Sequence, residues 1–228
     1  MKRWTVLALA AGLLCPVLRA GEVEDRVVKS AVVLREIMQI PEEGIPTDLL
    51  NRAACVAVIP SMKKGGFVFG GNYGKGIISC RTNQADIAWS APSMVLIGGG
   101  SFGLQIGAQA VDLVLVIMNL RGLESLLDSQ FTLGGDASVA AGPVGRTAAA
   151  STDALLTAKI LAYSRSRGLF GGLTLKGEVI RPDHDANHVL YGKPMMPRDI
   201  LFKPIDPQPR DVKILVDELT RLSPKKAT

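Results

Sequence analysis

The 26 residues from Met94 to Asn119, MVLIGGGSFGLQIGAQAVDLVLVIMN, constrain the fold more than any other stretch. They are almost apolar enough to cross a membrane. However, Gly98, Gly99, Gly100, Gly103 and Gly107 interrupt them, and Ser101, Gln105, Gln109 and Asp112 place polar groups where lipid would not satisfy them. From Phe102 onward Leu104, Ile106, Ala108 and Ala110 alternate with Gly103, Gln105, Gly107 and Gln109, the period of a half-buried strand. Val114 to Met118 continues as a fully buried strand. The stretch therefore predicts sheet, and no helical stripe begins in it.

The same residues match two catalytic patterns. Gly98, Gly100 and Gly103 spell the G-x-G-x-x-G of a dinucleotide loop, and Gly99, Ser101 and Gly103 spell the G-x-S-x-G of a hydrolase elbow. Both chemistries need a helix directly after the loop, whose first turn supplies amides for phosphate or the sharp bend that presents a serine. The alternation supplies a strand instead. A serine hydrolase using Ser101, with Asp136 or Asp153 and then His184 or His188 downstream, remains as a rival reading, and no repeated βαβ unit supports the dinucleotide one.

Elsewhere the chain alternates short apolar runs with glycine. Residues 22–39 carry Val23, Val27, Leu34 and Met38 near one helical stripe, with Val28 and Ile37 beside it, and Pro41 ends the run. AACVAVIP (53–60) reads as a strand. Phe67 to Phe69 and Ile77 to Ile78 read as the arms of a hairpin turned by Gly70 to Gly74, and 131–146 as further β structure. Ile160, Leu161 and Tyr163 suit a strand or the end of a helix; LFGGLTLKGEVI reads as a strand pair. Val212, Leu215, Leu219 and Leu222 then mark a C-terminal helix. The expected fold is α+β, a single domain with a Gly-rich, mainly antiparallel β core flanked by N- and C-terminal helices. Close strand approach around Trp89 and Phe102 explains the glycines.

Residues 1–20 read as a secretory signal: Lys2 and Arg3, an apolar Val6 to Leu14 too short to span, and an exit at Ala20. Leu14 before Cys15 argues against a lipoprotein signal. The expected domain is then 21–228, with a core at about 30–195 and an extension and helix at 196–228, in a secreted or periplasmic protein peripheral to a membrane. Losing Lys2, Arg3 and Arg19 lowers the formal net charge from +5 to +2, so bulk charge does not indicate a nucleic-acid partner. Secretion permits a disulfide between Cys55 and Cys80, and buried free thiols suit the sequence equally.

Two groups of side chains could carry a binding function. His184 and His188, four apart in RPDHDANH, are weak metal candidates: the glutamate of H-E-x-x-H is missing, and a calcium loop would need a glycine at His188 and a glutamate at Pro194. A solvated turn before a short helix accounts for them, and no metal or other cofactor is expected. Lys63, Lys64 and Lys75 form one basic cluster, and Arg165 and Arg167 beside Leu169-Phe170 another. A cation next to an exposed apolar side chain grips anionic headgroups while dipping into the interface.

Taken together, VAVIPSMKKGGFVFGGNYGKG, WSAPSMVLIGGGSFGLQIGAQAVDLVLVIMN, FTLGGDASVAAGPVGR and ILAYSRSRGLFGGLTLKG, followed by RPD, AN and LYG, resemble the SYLF-domain family in its order over about 30–195. The resemblance implies a lipid-binding module without catalytic residues. Eukaryotic members bind phosphoinositide membranes, partly through an N-terminal amphipathic helix, and fungal ones, linked to SH3 domains, also bind actin filaments. Here the N-terminal helix mixes Glu22, Glu24, Asp25 and Glu36 with Arg26, Lys29 and Arg35, so it is not a basic membrane-seeking helix, and no SH3 region is present. A bacterial envelope protein meets no actin. The expected function is non-enzymatic contact with anionic phospholipid or phosphoinositide-like headgroups through Lys63, Lys64, Lys75, Arg165, Arg167 and Phe170. An envelope scaffold or a carrier of an apolar ligand is the alternative.

Overall fold

Alternating side chains along five central strands face two separate apolar layers, and this organises the computed structural model, which describes residues 15–39, 44–66, 69–82, 88–102, 107–119, 129–136, 138–143, 158–166, 169–172, 175 and 177–224. Nine strands join one sheet: β1 (Cys55–Gly66), β2 (Phe69–Cys80), β3 (Ser93–Phe102), β4 (Gly107–Ile117), β5 (Phe131–Thr132), β6 (Val139–Ala141), β7 (Ile160–Ser166), β8 (Leu169–Gly172) and β9 (Val179–Pro182). Their order is β5-β9-β3-β2-β1-β4-β7-β6, with β8 also paired to β7. Every pair is antiparallel except β6 with β7. Helices α1 (Cys15–Gln39), α2 (Thr47–Arg52), α3 (His184–Tyr191), α4 (Pro197–Phe202) and α5 (Arg210–Leu222) complete the described elements. None of the described helices is long and apolar enough to cross a membrane.

On one face Val56, Val58, Val114, Val116, Leu161 and Tyr163 pack with Val27, Leu34 and Ile37 of α1 and Val212, Leu215 and Leu219 of α5. On the other, Ala57, Ile59, Leu113, Leu115 and Ala162 form a second layer. Phe131 of β5 and Val139 of β6, from opposite ends of the strand order, both reach that layer, so the sheet curls around it. The α+β expectation, with terminal helices around a glycine-rich sheet, describes the observed architecture.

Several local expectations change. The run Gly70 to Gly74 is not a turn; it lies inside β2, and the β1–β2 connection falls between Gly66 and Phe69. β1 does not stop at Pro60. A register shift between Ile59 and Met62, with Ser61 at φ 50°, absorbs the proline as a bulge, and the Ser61 amide donates to Asp112 Oδ1 at 2.9 Å. Residues 160–166 are strand rather than helix. The two strands of LFGGLTLKGEVI are present but unpaired with each other, since β8 pairs with β7 and β9 with β3 and β5. Within the described residues helix α1 runs from Cys15 to Gln39 and includes Ala20.

Cys55 and Cys80 face each other across β1 and β2 and form a disulfide. Close packing at a glycine is seen at Gly76. A Cβ on Gly76 would stand 2.2 Å from the Val58 carbonyl oxygen, so that residue has no room for a side chain. Trp89 instead donates its indole N–H to the Ser223 carbonyl at 3.0 Å, with the Arg81 guanidinium 4.2 Å above its ring. The Phe102 side chain lies outside the described residues.

Candidate functional site

Strand register gathers several chain reversals at one end of the sheet. Gly66 pairs with both Gly70 and Gly107, Phe69 with Phe102, Arg165 with Phe170, and Gly98 with Val179. The ends of β1, β3 and β7 and the beginnings of β2, β4, β8 and β9 therefore point the same way. The disulfide, Trp89 and the end of α5 lie toward the opposite end.

The basic residues expected to act together are divided by this geometry. Lys63 is exposed on the face covered by α1 and lines a groove of about 330 Å³ with Glu22, Asp25, Lys29, Tyr73 and Lys75. Tyr73 and Lys75 also line a neighbouring groove of about 340 Å³, which reaches Leu96 and Val189. Lys75 is countercharged: its ammonium donates to Glu22 Oε1 at 2.7 Å, and that hydrogen bond holds the Glu22 carboxyl below its ordinary range. Lys64, one residue on from Lys63, belongs to the opposite face. Burial pushes its pKa down, partly offset by the carboxylate of Glu178.

Arg165 is committed to internal partners. Its guanidinium donates to Asp112 Oδ2 at 2.8 Å and pairs with Glu36 of α1, leaving the side chain 22% exposed. Burial works against its charge, but the hydrogen bonds to Asp112 and Glu36 prevail and hold its pKa above the ordinary value. Two carboxylates around one guanidinium make a poor landing site for another anion. Arg167 lies outside the described residues. Phe170 is placed by its backbone in β8, directly across from Arg165, and its side chain lies outside the description.

The catalytic patterns meet a strand. Gly98, Gly99 and Gly100 pair with Tyr73, Asn72 and Gly71, and Ser101 pairs with Gly70. β3 ends at Phe102 and the next described element is β4, so no described helix starts at the glycines. The histidines belong to the other end of β3. Pro182, two residues before His184, pairs with Val95, which puts Ser101 six positions further along the strand, roughly 20 Å away at strand spacing. A triad of Ser101 with His184 or His188 is ruled out by that separation. Asp136 sits in a tight turn, accepting from the Thr132 amide at 2.7 Å, and Asp153 lies outside the described residues.

His184 and His188 are exposed on α3, whose cap is Asp183, accepting from the Ala186 amide at 3.1 Å. Among the described residues no group of three or more His, Cys, Asp or Glu gathers as a metal site.

The residues that the sequence did not point to are Asn72 and Glu178. They are buried, 8% and 7% exposed, and the Asn72 amide donates to Glu178 Oε1 at 2.9 Å. A Cβ at Gly99 would lie 3.0 Å from both Cα and Cγ of Glu178, so this glycine makes room for the acid. A lone glutamate after Gly177, within what reads as a strand pair, gives no sign that its side chain turns inward.

The profile of the family described as Ysc84, Las17-binding protein actin regulator, matches residues 98–222. LAS seventeen-binding protein 3 of Saccharomyces cerevisiae is 37% identical over 189 residues, 82% of this chain and 39% of that protein. SH3 domain-containing YSC84-like protein 1 of Rattus norvegicus is 34% identical over 206 residues, 88% of this chain and 59% of that protein. SH3 domain-containing protein PJ696.02 of Schizosaccharomyces pombe is 39% identical over 153 residues, 66% of this chain and 35% of that protein. The chain thus spans well under two thirds of the length of these relatives.

Proposed function

The chain belongs to the Ysc84 family, that of the SYLF domain, and on that premise we propose that it is a non-enzymatic module that contacts anionic phospholipid headgroups through the end of the sheet where the strand reversals meet. The observation that carries this reading is the register that sets the Phe69–Phe102 pair and the Arg165–Phe170 pair at the same end as Lys63 and Lys64. Apolar residues that dip below the headgroups and cations level with them are what an interfacial protein needs. Each lysine near the surface contributes about 1 kcal/mol, so contact is weak and salt-sensitive. Lys63 and Lys64 carry it; Arg165 organises the fold behind them.

We place the protein in an oxidising compartment, secreted or periplasmic, and the Cys55–Cys80 disulfide supports that placement, since such bonds rarely persist in reducing cytosol. In such a compartment the protein meets no actin, although the family is described as an actin regulator.

Flotation with phosphatidylcholine vesicles, with and without phosphatidylglycerol and over a range of salt, tests the reading. Binding that requires the anionic lipid and fades with salt supports it. Failure to float with any composition overturns it in favour of a scaffold or carrier of an apolar ligand.

A further inference from the structure

A polar row crosses the curled face of the sheet at the same end. Register aligns Gln109 of β4, Lys64 of β1, Asn72 of β2 and Gly99 of β3, and Glu178 packs over that last glycine. Of the two Glu178 carboxylate oxygens, Oε1 accepts from Asn72, while Oε2 is buried without a hydrogen-bond partner among the described residues. A carboxylate oxygen left so in a side chain 93% buried is costly unless something else donates to it. Lys64 is half-buried in the same row, senses the Glu178 charge, and makes no ion pair with it among the described residues. Among the described residues an unsatisfied acceptor and a cation without an ion pair thus stand on either side of Asn72.

We propose that Lys64, Asn72 and Glu178 form a binding site for a zwitterion that carries a primary ammonium and a phosphate, as phosphoethanolamine does. The ammonium donates to Glu178 Oε2 and the phosphate takes the Lys64 charge. Lys64 on β1 and Glu178 at the start of β9 lie three strand spacings apart, roughly 14 Å between backbones, and Glu178 reaches back over Gly99 of β3 to Asn72. Bare phosphate is disfavoured, because the buried carboxylate repels it, and so is a quaternary ammonium, which has no N–H to give. For a phospholipid headgroup this deepens the lipid reading above and rests on it. For the free ester it stands alone.

The test uses the whole chain and two kinds of ligand. Titration calorimetry with free phosphoethanolamine, phosphocholine and inorganic phosphate is set beside flotation with phosphatidylcholine vesicles containing phosphatidylethanolamine or phosphatidic acid. The expected result is binding of phosphoethanolamine over the other two soluble ligands, weakened about tenfold by Glu178→Gln, the loss of one charge-assisted hydrogen bond. Lys64→Ala, at a half-exposed position, weakens it similarly and serves as the second variant should Glu178→Gln fail to fold. Binding of the free ester without any flotation sinks the lipid reading and keeps the site. Flotation with phosphatidic acid as strong as with phosphatidylethanolamine and unchanged in Glu178→Gln, or no selective uptake of phosphoethanolamine, overturns the site.

Discussion

Arg26 of α1 and Asp183 at the head of α3 form an ion pair of 2.8 Å whose side chains are only 7% and 13% exposed. Asp183 also caps α3, and Asn187 on that helix accepts from the Met94 amide of β3 at 2.7 Å, so one carboxylate ties the first helix to β3 and the end of β9. Asp183→Ala removes the cap and strands a buried guanidinium, a loss of about 3–5 kcal/mol. Asp183→Asn keeps a capping oxygen and loses less. Urea unfolding of both variants checks this; Asp183→Asn as stable as wild type would show that the charge contributes nothing.

The glycines divide by what surrounds them. Gly76→Ala drives a methyl into the Val58 carbonyl and the Ile59 backbone, 2.2 and 2.9 Å away, and destabilises by about 1–3 kcal/mol or prevents folding. Gly100→Ala meets nothing within 4 Å and leaves the melting temperature nearly unchanged. A dinucleotide loop would show the opposite sensitivity at Gly100.

Glu218 of α5 is 6% exposed and accepts from Arg35 of α1 at 3.2 Å and from Arg221 at 2.5 Å. Burial works to raise its pKa, but the hydrogen bonds from Arg221 and Arg35 prevail and hold the carboxyl below its ordinary range. A carboxylate with a depressed folded pKa adds stability that is fully present above the unfolded value, about 4.3, and is lost as pH falls through the lower folded value. Glu218→Gln therefore lowers the melting temperature at neutral pH, by the equivalent of about 1–2 kcal/mol, and its difference from wild type shrinks in acid below about pH 4. Melting curves from pH 7 to pH 2 provide the check; a difference that does not change with pH contradicts the assignment.

Charge reversal separates the cations proposed to meet lipid from the structural one. Lys63→Glu with Lys64→Glu abolishes flotation with anionic vesicles while the far-ultraviolet circular dichroism stays that of wild type. Arg165→Glu sets a third carboxylate beside Asp112 and Glu36 and lowers the melting temperature even without lipid. Wild-type flotation by the lysine double variant removes both residues from the contact surface.

Much of the architecture was legible because burial repeats with the period of each element. Val212, Leu215 and Leu219 mark the buried face of α5, and the apolar run ending at Ile117 is strand β4, while residues 103–106 of the alternation lie outside the described residues. Glycine was the ambiguous letter. In Gly70 to Gly74 it reads as a turn, yet β1 and β3 on either side hold those residues extended, a tertiary effect that local sequence does not contain. The site was only half legible for a similar reason. Adjacent lysines look like one patch, but strand alternation sends Lys63 and Lys64 to opposite faces. The partners of Arg165 come from Glu36 and Asp112, distant in the chain. Asn72 and Glu178, 106 residues apart, meet only through the strand order.

The central claim is that membrane contact occurs at the end of the sheet where β1 passes to β2 and β3 to β4. Hydrogen–deuterium exchange of the protein with and without phosphatidylglycerol vesicles measures this directly. The account predicts slowed exchange confined to about residues 60–72, 98–110 and 165–172, with α5 unchanged; protection that falls on α1 and α5 instead, or none at all under conditions of full flotation, contradicts it.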